Sequence, residues 1–293
     1  MIKFSQGWRR WIIKDLDLSN KEIIHVKDGK IEYLQFRRLL EYKDIISHAY
    51  SIGLDVNFRT AKANGEELST DEKLLAKKSY KQLCDDIGCD YNNLVKTNQR
   101  HTNNVKVVAN KINSDKPDFN LEEYNETDGL ITNKKHLILS TTNADCILFL
   151  MFDPVKKVIA NIHSGWRGTL QRISVKAVEK MIEEFNVNPK DIICCIAPSI
   201  RKCHFEVDRE IKDLFEKEFE DLKEYSFIEE TLSNEKWNID TVLINKIILE
   251  RSGIKKENIV DSGICSVCSS NKMHSFRVEK ESYGLETALI ELK

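Results

Sequence analysis

The sequence predicts an α+β fold in a single domain spanning 1–293, on three observations. Short β-rich runs interleave with amphipathic helical segments along the chain. No Gly/Ser/Pro-rich linker divides it and no segment repeats. With 41% hydrophobic and 31% charged residues it has apolar material for a core and a well-solvated surface, which excludes a disordered or fibrous chain.

The elements follow in order. The first sixty residues read as strands and turns, with short runs at 34–40 and 45–50. A polar loop, 60–70, leads to the first clear helix. There Ser69 stands three residues before Glu72, the spacing of a capping box. Ala76, Tyr80, Leu83, Cys84 and Ile87 recur at helical spacing, and Gly88 is a natural stop. Residues 110–127, polar and interrupted by Pro117, read as a long surface loop whose length suits a lid or a flexible excursion. Strand signals then crowd together at 136–142, 146–152 and 155–162, the last two parted by an Asp153-Pro154 turn. An amphipathic helix puts Leu170, Ile173, Ala177, Val178, Met181, Ile182 and Phe185 on one face. A buried strand at 192–197 is stopped by Pro198. A helix over 207–222 turns Ile211, Leu214, Phe215, Phe219 and Leu222 inward. Asp240 caps a third helix with Leu243, Ile244, Ile247 and Ile248 apolar, ending near Gly253. Strands at 259–264 and 286–292 close the chain.

Composition narrows the function. The net charge of −2 excludes a nucleic-acid binder held by a basic face, because phosphate neutralisation needs a clustered Lys/Arg excess. The longest apolar run, 146–152, is far shorter than the roughly 20 residues of a membrane span. Residues 1–18 carry Lys3, Arg9, Arg10, Lys14 and Asp15 and lack an apolar signal core, so a cytoplasmic location is expected. The eight cysteines are therefore read as mostly reduced, with Cys84, Cys194 and Cys195 as core residues among apolar neighbours. Cys265 and Cys268 form the one C-x-x-C pair. A structural zinc site would want a second such pair or two nearby histidines, and the sequence offers neither close by, so no site is expected there.

Three segments carry chemistry: His101 in NQRHTNN, Cys146 in TTNADC and His163 in HSGWRG, each at a strand end or strand-to-loop junction. Imidazole and thiolate suit zinc, and three protein ligands leave a fourth position for water. The separations of 45 and 17 residues form no local ligand pattern. On the residues alone, a cysteine opening a buried strand beside two hydrogen-bonded histidines is the simpler alternative. HSGWRG also places a glycine-flanked turn before a helix, where backbone N–H groups and Arg167 could meet phosphate or carboxylate. The competing possibility is a tight turn with Trp166 as a core plug and Arg167 in a structural salt bridge.

Taken together, TTNADC, HSGWRG, the APSI…CHFEV segment (Ala197 to Ile200, Cys203 to Val207) and a late SFR (Ser275 to Arg277) resemble the YfiH-type family. Its members have been labelled laccase-domain or multicopper polyphenol oxidase proteins and, more recently, purine nucleoside phosphorylases. The resemblance runs from about residue 94 to the C-terminus in the expected order, and Asp128 to Thr132 fits the stretch before the Cys motif. It implies a four-layer α/β/β/α sandwich, with two mixed sheets face to face and helices outside. It implies one metal, zinc (Zn2+) in preference to copper (Cu2+), held by His101, Cys146 and His163.

The implied activity is phosphorolysis of adenosine or inosine, with methylthioadenosine as a further candidate substrate, to free base and pentose 1-phosphate, together with adenosine deamination. Purine nucleosides and phosphate are the expected partners. The site roles that follow are Cys146, Asp145 and Arg167 as catalytic residues and Ser164 and Arg277 as substrate-binding residues, with both arginines near phosphate. Asp145 would move protons; a buried, turn-stabilising carboxylate is its alternative role. The chain departs from the family pattern in three places. It lacks the Ser-Thr-Arg-x-Gly-Gly stretch after His48, reads Ala197-Pro198-Ser199-Ile200-Arg201 for Gly-Pro-x-Ile-Gly, and has Arg277-Val278 for a double Arg. Two other functions use the same residues. A copper-dependent polyphenol oxidase would need more histidines than the seven present. A Cys–His hydrolase would activate Cys146 through His163 or His101, and metal content separates it from the zinc enzyme.

Overall fold

The computed structural model describes residues 16–61, 67–109, 124–232 and 235–293. Its first half runs β1 (Ile23–Val26), β2 (Tyr33–Phe36), α1 (Arg37–Leu40), β3 (Ile46–Ser51), α2 (Thr70–Ile87), β4 (Leu94–Lys96), β5 (Val105–Val107), β6 (Gly129–Thr132), β7 (Ile138–Asn143), β8 (Ile147–Asp153) and β9 (Val158–Ser164). The second half runs α3 (Trp166–Leu170), α4 (Ile173–Phe185), β10 (Ile193–Ile196), β11 (Glu206–Asp208), α5 (Arg209–Glu218), β12 (Ile228–Glu230), β13 (Lys236–Ile239), α6 (Thr241–Arg251), β14 (Ile259–Asp261), α7 (Phe276–Glu279) and β15 (Glu286–Leu292).

Two six-stranded sheets organise the fold, in the orders β1-β2-β3-β15-β7-β4 and β14-β10-β8-β9-β6-β5. Both are mixed: β4 joins β7 in parallel, as do β5 with β6 and β14 with β10, while the other pairs are antiparallel. The unbroken apolar run of β8 shows how the layers form. Side chains alternate across a strand, so Leu148, Leu150 and Phe152 enter the core between the sheets, while Ile147, Phe149 and Met151 face the helix layer. Strand β10 does the same with Ile193 and Cys195 against Cys194 and Ile196. Helix α4 covers that outer face with Ile173, Ala177, Val178 and Met181. Helix α2 covers the other sheet with Tyr80, Leu83 and Cys84. The result is the α/β/β/α sandwich. Truncating a central residue such as Leu150 to Ala would cost about 2–5 kcal/mol. A third, three-stranded sheet, β11-β13-β12, packs with α5 on a satellite cluster around Phe215, Phe219 and Trp237.

Several local expectations hold. Ser69 and Glu72 make the reciprocal capping box, Gly88 caps α2 in the left-handed conformation, and the Asp240 side chain accepts from Leu243 N–H. Cys84, Cys194 and Cys195 are fully buried. Others need correction. The run 34–40 is strand only to Phe36, because the Phe36 N–H turns to His48 Nε2 (2.8 Å) and a helical turn follows. The strand expected from 155 starts at Val158, after a turn with Lys157 at positive φ. The helix expected from Leu170 is two helices, α3 and α4, split by Arg172 in the left-handed region. Leu170 packs on the satellite cluster instead of the α4 face, and Ile182 is 37% exposed. The segment 207–222 is a strand, the helix α5 and 3-10 turns, and Leu214 is 43% exposed. The strand expected over 259–264 ends at Asp261. Residues 110–123 of the expected loop, 62–66 of the polar loop and 1–15 of the N-terminal segment lie outside the described residues. Among the described residues, no helix is long and apolar enough to cross a membrane.

Candidate metal centre

The parity that builds the core also aims the site. Cys146 precedes β8 in phase with Leu148 and Leu150, and His163 lies in phase with Ile159 and Asn161 on β9, so both point between the sheets. Leu148 and His163 are register partners, which sets Cys146 and His163 at one sheet end. His101 arrives from a loop outside the sheets. Its backbone stands at φ 61°, and Gln99 pins the loop to β7 by bonding both the N–H and the C=O of Thr142 (2.8 and 2.7 Å). The three ligand atoms lie within 4.8 Å of one another, with His101 Nε2 3.7 Å from Cys146 Sγ. The two imidazoles meet edge to face with centroids 4.9 Å apart. His163 is buried, Cys146 half-buried and His101 exposed, so the cluster opens on the His101 side.

Asp128 orders this cluster. Its buried carboxylate accepts from His163 Nδ1 (2.8 Å), from the backbone N–H groups of Arg100, His101 and Thr102 (3.1, 2.9 and 2.9 Å), and from Thr102 Oγ1 (2.7 Å). With Nδ1 engaged, Nε2 of His163 is the nitrogen left to face Cys146. Gly165 completes the floor: a Cβ there would stand 2.4 Å from His101 Cδ2 and 3.2 Å from Cys146 Sγ. Only glycine admits the ring this close.

The charges reinforce one another. Burial opposes ionisation of the Cys146 thiol, but the His163 imidazolium and the His101 hydrogen bond outweigh it and bring its pKa down to about 6. Burial likewise disfavours charged His163, yet the Cys146 thiolate and Asp128 raise it to about 9. Asp128 resists its own burial through His163 and Thr102 and falls to about 2. One thiolate and two imidazoles around an open side form a donor set that fits zinc with a free coordination position. The carboxylate behind His163 is the outer partner such a ligand needs.

The remaining sequence-predicted residues are dispersed around this cluster. Asp145, at φ 85°, turns away from Cys146: its carboxylate accepts from Ser266 Oγ (2.6 Å), Ser275 Oγ (2.8 Å) and Arg277 N–H (2.7 Å). It is thus a buried knot of three loop contacts. Ser164 follows His163 by one residue and so faces the helix layer, where its buried hydroxyl meets Thr169 Oγ1 (3.1 Å). Arg167 is exposed, and its guanidinium stacks 4.0 Å over the half-buried Trp166 ring rather than pairing with a buried carboxylate. Arg277 donates from Nη2 to the Glu206 carbonyl (3.2 Å). Asp128 carried only a weak signal in the sequence, as the acid opening the Asp-Gly-Leu-Ile-Thr stretch, and nothing there marked it as the partner of His163.

Comparisons with known proteins agree with this architecture. The chain is 27% identical over 220 residues to the purine nucleoside phosphorylase YlmD of Bacillus subtilis (strain 168), covering 74% of this chain and 77% of that protein. It is 28% identical over 191 residues to adenosine deaminase RL5 from an unknown prokaryotic organism, covering 65% and 72%. The crystal structure of the Bacillus licheniformis hypothetical protein YfiH superposes with a TM-score of 0.78 at 21% identity, over 92% of this chain and 99% of that one, and so shares the fold. A family model described as multi-copper polyphenol oxidoreductase laccase matches residues 56–293. This chain belongs to that laccase-domain family.

Proposed function

We propose that the chain, acting as one enzyme domain over 1–293, is a zinc-dependent purine nucleoside enzyme. It phosphorolyses adenosine or inosine to free base and pentose 1-phosphate and deaminates adenosine. The observation that carries this reading is the convergence of His101, Cys146 and His163 on one open site, with Asp128 fixing His163 behind it. The names of the relatives, purine nucleoside phosphorylase and adenosine deaminase, supply the substrate class.

Zinc held by these three residues would supply a Lewis acid at the floor of the site. The chain supplies the rest. Asp128 keeps His163 in one tautomer and ties the loop bearing His101 to the same carboxylate. Gly165 leaves space against the ligands. Arg167, exposed two residues beyond Gly165, would bind phosphate through its planar guanidinium fork. Asp145 acts as a positioning residue, holding the Arg277 backbone and the 266 and 275 loops beside the ligand turn.

Copper oxidation of phenols is less well supported. Of the seven histidines only His101 and His163 meet each other. His25 pairs with Glu32, His48 with Phe36 N–H, His274 with Glu279, His136 lies near Glu291, and His204 stands alone among Cys203, Cys265 and Cys268. That is too few imidazoles in one place for a multicopper oxygen-reducing centre. The thiolate–imidazolium polarity of Cys146 and His163 would also serve a Cys–His nucleophile, so metal content is measured first. Purified protein should carry metal at this site and release base from nucleosides only with phosphate, or convert adenosine to inosine without it. Cys146→Ala should abolish both. Phenol oxidation by copper-loaded protein without nucleoside turnover would overturn the proposal, and full activity in metal-free protein would move it to the nucleophile.

A further inference from the structure

We propose that Cys203, His204, Cys265 and Cys268 bind a second metal ion, a structural zinc distinct from the centre at His101, Cys146 and His163. The expectation of no zinc site at Cys265-x-x-Cys268 is corrected by the fold, which brings up the missing ligands from a turn some sixty residues away. The turn after β14 carries the C-x-x-C pair and the turn before β11 carries the adjacent Cys203 and His204.

The geometry matches a metal tetrahedron. Zinc–sulfur bonds of about 2.3 Å and zinc–nitrogen bonds of about 2.0–2.1 Å imply edges of about 3.8 Å between sulfurs and about 3.6 Å between sulfur and nitrogen. Cys203 Sγ stands 3.6 Å from Cys265 Sγ and 3.9 Å from Cys268 Sγ. His204 Nδ1 stands 3.1, 3.7 and 3.6 Å from the sulfurs of Cys203, Cys265 and Cys268. All four donor atoms fall within 4.8 Å of one another. Three thiols and one imidazole use every ligand of a closed Cys3His sphere, whereas a disulfide would pair two sulfurs and leave the third without a role. A filled sphere has no position for substrate, which makes this ion structural.

The backbone is arranged to hold the donors without the ion's help. Ser199 N–H bonds Ile264 O (3.3 Å), and Ser266 N–H bonds Ser199 O (3.1 Å). Ser269 N–H closes the C-x-x-C turn onto Cys265 O (3.0 Å), and His204 N–H closes its own turn onto Arg201 O (2.9 Å). Clipping two distant turns together restricts the unfolded chain as a cross-link over a long loop does. The clip also backs the first centre. Ser266, inside the C-x-x-C pair, donates to Asp145 next to Cys146, and Glu206, two residues after His204, accepts from Arg277.

The test is zinc stoichiometry on the full chain purified under reducing conditions with zinc present. Two ions per chain are expected for the wild type and one for Cys146→Ser. X-ray absorption on Cys146→Ser should then show zinc with three sulfurs and one nitrogen. Cys268→Ser should also bind one ion, and its cobalt-loaded form should lose most of the thiolate charge-transfer absorption. Should Cys268→Ser fail to fold, thiol labelling of the wild type decides. Cys203, Cys265 and Cys268 should be protected with zinc and react once a chelator removes it. A Cys146→Ser protein without zinc, labelling of these three thiols that zinc does not slow, or a disulfide among them in the reduced preparation would each overturn the proposal.

Discussion

The Asp128 carboxylate lies 2.8 Å from His163 Nδ1 while the same oxygen accepts the backbone N–H of His101. One buried acid therefore orients a ligand on β9 and the loop that delivers another, and Cys146 immediately precedes β8, the strand paired with β9. The site is built by coupling a rigid sheet end to a loop through a single charge.

Asp128→Asn tests that coupling. The amide keeps one acceptor but presents N–H groups to the Arg100 and Thr102 donors and removes the charge that supports His163. Metal affinity at this centre should fall about 10–100-fold, as read by competition with a chelator. An unchanged affinity would mean that the strands alone hold the ligands.

Gly165→Ala should cost metal more than fold. The new Cβ would stand 2.4 Å from the exposed His101 ring, which can swing outward, while Cys146, immediately before β8, and His163, within β9, stay anchored. Metal at this centre and nucleoside turnover should be lost together, with a melting temperature close to that of the wild type. Retained stoichiometric metal at this centre would show that the His101 loop yields without releasing its ligand.

Arg167→Lys separates phosphate binding from folding. The guanidinium rests on Trp166 in an exposed position, so the melting temperature should hardly move. Lys keeps the charge but loses the planar fork. Losing a charge-assisted bond should lower phosphorolysis about tenfold or more, while deamination, which uses no phosphate, should persist. A parallel fall in both activities would place Arg167 in the architecture of the site instead.

His48 makes stability depend on pH. It is fully buried, accepts the Phe36 N–H, and burial lowers its pKa from 6.5 to about 3. Between these values the unfolded chain binds the extra proton, so the contribution of neutral His48 is complete above pH 6.5 and is lost as pH falls through 6.5 toward 3. The slope approaches about 1.4 kcal/mol per pH unit. His48→Gln keeps an acceptor without a titrating ring. Its melting curve should be flatter than that of the wild type between pH 6.5 and 4.5, and identical slopes would count against the assignment.

What the sequence determined by itself is local or periodic. The unbroken apolar run of 146–152 marks a buried strand, Ser69 with Glu72 and Gly88 mark both ends of α2, and the ADC and HSGWRG segments carry Cys146 and His163, two of the three side chains of the cluster. Such features depend on neighbours a few residues apart. The tertiary structure decided which side chains meet. Asp128 reaches His163 across 35 residues, Cys203 reaches Cys265 across 62, and Asp145 gathers Ser266 and Ser275 from more than 120 residues away. Parity on a strand decided that Ser164 faces the helices while His163 faces the site, because consecutive side chains leave a strand on opposite sides. Left-handed residues decided where elements break: Arg172 splits one apparent helix and Asp145 turns its carboxylate away from Cys146. Neither a contact made by chain crossing nor a backbone sign imposed by packing is encoded in spacing, since both depend on how the two sheets close over their shared core.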